Sequence, residues 1–61
     1  ELDYAFLEDM IFHHMGAVRM SQQLIMWELD EHREVYLLAR SIRDSQREEI
    51  FMMRDWLDKW Y

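Results

Sequence analysis

Two adjacent histidines, His13 and His14, stand in the run Met10-Ile-Phe-His-His-Met-Gly-Ala-Val-Arg-Met20. If this stretch is helical, residues three and four apart share a face. Met10, His13, His14, Ala17 and Met20 then lie on one side of a single rod. Imidazole and thioether are borderline and soft donors, and together they suit a copper ion, Cu(I) or Cu(II). The same residues also read as a polar level in a helical core, with methionine filling irregular gaps.

Other chemistries find no support. No Asp or Glu stands three residues before a His, as carboxylate di-iron bundles require, and His-Glu-x-x-His is absent. Ser21, Ser41 and Ser45 have neither a glycine elbow nor an evident base. There is no glycine-rich phosphate loop. An enzyme is therefore not expected, nor is a small-molecule substrate.

The elements that must position these residues follow from hydrophobic spacing. Phe6, Met10, His13, Ala17, Met20, Leu24 and Trp27 recur at alternating steps of four and three, with Leu7, His14, Val18, Ser21 and Ile25 beside them. Val35, Ala39, Ile42, Gln46, Glu49, Met53, Trp56 and Trp60 repeat the pattern. Each row is the inward stripe of an amphipathic helix. The spacing predicts a helix over about 3–28, a turn over about 29–32 and a helix over about 33–60. Asp3 and Asp30 are the expected N-caps, with His32 a weaker start for the second helix. Gly16 either admits a neighbouring helix closely or is simply tolerated in mid-helix. Arg40, Arg43, Asp44, Arg47, Glu48, Arg54, Asp55 and Asp58 read as a solvated face, with Arg40–Asp44 and Arg54–Asp58 as pairs four apart.

Composition bounds the answer. The chain has 61 residues, of which 51% are hydrophobic and 33% charged. It is therefore neither disordered nor large enough for two domains. It has one Gly, no Pro and no Cys, which leaves long helices, few turns and no disulfide. A core this small needs a metal or a partner chain. The net charge of -6 argues against nucleic acid and against anionic lipid. The chain opens with Glu1 rather than Met, so a fragment of a longer protein is expected.

Folding the two rods back on each other sets a register in which facing residue numbers sum to about 62. His13 then faces Glu49, Met10 faces Met53, Ala17 faces Gln46, Met20 faces Ile42 and Leu24 faces Leu38. The polar residues of both stripes meet at one height. His13 paired with Glu49 serves either a metal site or a satisfied core pair, while His14 points toward the next helix of a bundle. Leu7, Val18, Ile25, Leu37, Ile50 and Leu57 remain as apolar surface. A two-fold homodimer forming an antiparallel four-helix bundle would cover it.

Met10-x-x-His13-His14-x-Gly16-Ala17-x-x-Met20, preceded by Asp3 and Phe6, resembles the first helix of the DUF305 family. Leu38-Ala39-x-x-Ile42-x-x-x-Gln46-x-x-Glu49-Ile50-x-x-Met53-x-x-Trp56-Leu57 resembles the second. The resemblance implies an all-α, ferritin-like helical bundle, usually in exported or membrane-anchored bacterial proteins, and hence a periplasmic or other extracytoplasmic place. Some members bind copper through His and Met and contribute to copper tolerance. Carried over by position, the metal residues are Met10, His13, His14, Met20 and Met53, with Gln46 and Glu49 orienting the imidazoles. Where the family often has Pro before the second helix, this chain has Arg33. The reading is a non-enzymatic copper-binding hairpin, for copper tolerance or storage. The alternative is a structural or sensory dimerisation module that holds no metal, with the polar level fixing register.

Overall fold

The computed structural model describes all residues, 1–61, and is built from two helices, α1 (Leu2–Met26) and α2 (Arg33–Trp60). They pack antiparallel as one hairpin, a rod of 43 × 15 × 14 Å.

The turn between them forms without glycine or proline. Trp27 caps α1, and Glu28 takes the left-handed conformation at φ 53°. The Leu29 N–H donates to the Leu24 carbonyl at 3.1 Å and the Glu28 N–H to that of Ile25 at 3.4 Å. This pair of bonds is the Schellman closure, in which glycine usually fills the left-handed position because a Cβ is strained there. Neither expected N-cap is used. α1 starts from Glu1 rather than Asp3, and α2 from His32 rather than Asp30, in both cases with no side-chain cap bond. An extended backbone at His32 (ψ 135°) lets its carbonyl take the first helical bonds, from Val35 and Tyr36, so the turn reaches two residues past Asp30.

The seam follows the row one residue beyond the predicted stripe of α1. Leu7 and Ser21 are buried there, with His14, Val18 and Ile25 half-buried between and beyond them. On α2, Ala39, Ile50 and Met53 are buried, and Gln46 is half-buried between them. The small residues Ser21 and Ala39 share one level of the seam, flanking a recess with Leu24 and Leu38. One residue is a rotation of about 100° on a helix, so Phe6, His13, Met20 and Trp27, expected inside, are exposed. Leu7 and Ile50, expected as leftover apolar surface, are the hairpin's core. The expected register holds to within a residue: Met20 and Leu24 border one recess with Leu38 and Ile42.

Two uncovered faces flank the seam. The first, the histidine face, carries Phe6, His13, Met20 and Leu24 of α1 with Val35, Leu38 and Ile42 of α2. On the opposite side, the arginine face, Met15, Val18, Ile50 and Phe51 form a groove bordered by Arg19 and Arg47. Gly16 lies on neither contact, since no atom stands within 4 Å of where its Cβ would be. At the open end, Tyr4 and Tyr61 meet edge to face at 5.2 Å, and Trp56 stacks on Trp60 at 5.4 Å. Glu8 beside Tyr4 raises that phenol's pKa above its ordinary value, because a nearby carboxylate disfavours the phenolate.

No side chain is fully buried. The chain has a mass of 7.7 kDa. A folded monomer of that mass is expected to expose about 4300 Å². This hairpin exposes 5095 Å². The excess, roughly 800 Å², is what an elongated rod of only two helices leaves in water.

Candidate metal site

The polar level predicted from the two stripes exists, with the histidines exchanged. His14 Nε2 lies 2.5 Å from Glu49 Oε1, which fixes the imidazole across the seam. The His14 side chain is 11% exposed and that of Glu49 is 48% exposed. The expected pairing of His13 with Glu49 is therefore replaced by His14 with Glu49. His13 is the outward residue, exposed on the histidine face and without a hydrogen-bond partner. The same rotation that moved the α1 seam accounts for the exchange. Glu49 escapes the cost of a buried carboxylate because half of it reaches water.

The remaining predicted residues divide by position. Met10 is half-buried one turn before His13, and Met20 is 68% exposed two turns after it. Met53 is 5% exposed, shut inside the seam of the hairpin. Gln46 is half-buried one turn before Glu49 on α2. No three His, Cys, Asp or Glu side chains converge in one hairpin.

The donor chemistry fits a soft ion while leaving one chain's set incomplete. When His14 Nε2–H donates to the Glu49 carboxylate, the Nδ1 nitrogen keeps its lone pair, the usual way a carboxylate selects the metal-binding tautomer of an imidazole. Half-buried Met10 and exposed His13 and Met20 follow one stripe of α1, and His13 has no competing hydrogen-bond partner. Met53 has the right donor atom in an enclosed place.

The description "Domain of unknown function (DUF305)" belongs to a family model that matches residues 3–61. The chain belongs to the DUF305 family. No curated protein and no solved structure matches it. In this DUF305 chain the motif residues Phe6, Met10, His13, His14 and Met20 of α1 fall on the seam and the histidine face, whereas Gly16 lies on the outer side. Those of α2, from Leu38 to Leu57, fall mainly on the same two places. No helix of this DUF305 chain is long and apolar enough to cross a membrane.

Sequence reasoning missed how the arginines are grouped. They read as members of a mixed solvated face, yet neither expected pair forms. Arg43 instead bonds the adjacent Asp44 at 2.9 Å, and Lys59 bonds Asp55 at 2.9 Å. The spacing of Tyr36, Arg40, Arg43, Arg47 and Arg54 by four, three, four and seven carried that signal.

Proposed function

We propose that this protein binds copper without catalysing a reaction, at a site shared between two copies of the hairpin that meet through their histidine faces as a four-helix bundle. The observation that carries the reading is the arrangement of the two histidines. One is fixed by Glu49 with a nitrogen left to donate, and the other stands free between two thioethers on an uncovered apolar face. His13, Met10 and Met20 of each copy would hold the ion, with His14 oriented by Glu49, and Gln46 beside it in the seam. Met53 would stay in the hairpin core. The apolar side chains that the rod leaves in water support a protein partner. The histidine face favours self-pairing because its recess is lined by Met20, Leu24, Val35, Leu38 and Ile42 with no charged side chain. A bound soft ion would be sequestered there, in keeping with copper tolerance or storage in the extracytoplasmic setting the family resemblance implies.

The test is a Cu(I) and Cu(II) titration against a competing chelator, with sedimentation velocity on the same samples. His13→Ala and Met20→Leu are expected to weaken copper by tenfold or more while leaving the sedimentation coefficient of the metal-free protein unchanged. Equal affinity in wild type and in the His13→Ala, His14→Ala double variant would sink the copper reading. The same His14–Glu49 bond favours one second reading, a metal-free dimerisation module, because it satisfies both groups with no ion present. That reading requires loss of dimer in His14→Ala without copper.

A further inference from the structure

The arginine face is built differently from the face assigned to self-pairing. Four of the six arginines of a chain with net charge -6 stand on its border or rim. Arg19 and Arg47 border the groove at Met15, Val18, Ile50 and Phe51, and Arg54 borders its continuation past Ile11 and Leu57. Arg43 reaches Gln22 at 3.5 Å on the same rim. Arg33 and Arg40 lie against the Tyr36 ring farther along, at 4.6 and 5.9 Å from its centroid. Arg19, Arg47 and Arg54 pair with no carboxylate, although the chain has 13 acidic residues to offer. Phe51 is 65% exposed and Met15 56% exposed between these cations.

An apolar channel with unpaired arginines on its rim asks for a partner that supplies both apolar side chains and carboxylates. From Glu8 to Gln22 the groove runs along 15 residues of α1, about 21 Å at ~1.5 Å per residue. That length and its concave section between two rods suit one helix of about four turns, anchored by apolar residues at i, i+3 or i+4, and i+7. A second copy of this chain is a poor occupant, since two-fold pairing of this face sets arginine against arginine. A planar anionic membrane would touch the rims and leave the channel unfilled, and it would meet the Glu8 carboxylate on the same border.

We propose that the groove between α1 and α2 on the arginine face docks an acidic amphipathic helix of a partner protein, with Arg19, Arg47 and Arg54 pairing its carboxylates and Met15 and Phe51 packing its apolar stripe. Nothing in this depends on copper, so failure of the copper titration leaves it standing.

Two stapled 15-residue helical peptides test it by fluorescence anisotropy against the full chain. Both carry leucine at i, i+3, i+4, i+7 and i+11; one has glutamate on the flanks and the other lysine. The glutamate peptide is expected to bind at least tenfold tighter than the lysine peptide and to weaken steeply as salt rises from about 0.05 to about 0.5 M, because exposed charge pairs are screened. Arg19→Glu with Arg47→Glu is expected to reverse the preference, and Phe51→Ser to weaken both peptides. Phe12→Ser, on the outer side of α1 where Phe12 is 78% exposed, serves as the control and is expected to change neither. Circular dichroism checks that each variant keeps the wild-type helix content. Equal binding of the two peptides, binding of neither, or no response to the charge reversal overturns the proposal. Recruitment to phosphatidylglycerol vesicles without peptide binding overturns it in favour of a membrane surface.

Discussion

α1 and α2 are similar in length, 25 and 28 residues, and lie against each other along one seam, yet they are different kinds of helix. α1 is apolar around most of its circumference, with Phe6, Phe12, Met15, Met20 and Met26 all exposed in the hairpin. α2 is sharply amphipathic: its outer side carries Asp44, Glu48, Asp55 and Asp58, and its apolar residues concentrate toward α1. The two helices therefore differ in how much apolar surface the hairpin leaves uncovered on each. Both candidate binding features use α1 as a wall and α2 as the source of the fixed charges, Glu49 on one side and the arginine row on the other.

The largest expected effect tests the inward side of α2. Met53→Ala empties one of the few buried positions. It is expected to lower stability by about 2 kcal/mol, the low end for Met→Ala because no side chain here is fully enclosed. Glu48→Ala, on the outer side, is expected to stay within about 0.5 kcal/mol. Chemical denaturation at fixed chain concentration reads both, and comparable losses would erase the distinction between the inward and outward sides of α2.

Next in size is the polar tie across the seam. A double-mutant cycle on His14→Ala and Glu49→Ala is expected to return a coupling of about 1 kcal/mol, the usual net worth of a hydrogen bond. The same cycle with His13→Ala is expected to return none. A coupling that followed His13 would put that residue back in the seam.

Smallest is Gly16→Ala. The added methyl meets open space. Helix propensity alone should then act, raising stability by up to about 1 kcal/mol. Destabilisation would mean that the outer side of α1 is closely covered in solution, which would deepen the contrast between the helices.

The same contrast explains which parts of the structure were legible in the sequence. On α2 the apolar period is clearer: Ala39, Gln46 and Met53 lie in the seam where the spacing put them, although Val35 and Trp60 are exposed and Ile50, outside the expected stripe, is buried. Glu49 strays to its margin. On α1 two parallel rows satisfy the same period, one led by Phe6 and Met20 and the other by Leu7 and Ser21. Apolarity cannot choose between them in a helix that is apolar on most sides. Each row also carries a polar residue at the same level, His13 in one and His14 in the other, so polarity does not separate them either. The residues that could have corrected this are small: Ser21 and Ala39 stand at the same height in the predicted register and let the helices approach. Hairpin, register and polar level were thus readable, whereas the rotation of α1 about its axis was not, and that rotation decides which histidine is held and which is free. The turn was legible only as a gap between stripes, because its left-handed position is occupied by Glu28, a residue with no turn signature.

The absence of any fully buried side chain reaches into thermodynamics. In most domains, what binds a surface adds a margin to a fold that already stands. Here a large part of the apolar area stays in water in the single hairpin, so any chain, ion or helix that came to cover it would be linked to folding by mass action. The midpoint of thermal unfolding should then move with the concentration of chain, ion or docking helix, and the protein's own stability becomes a readout of how much of each is present.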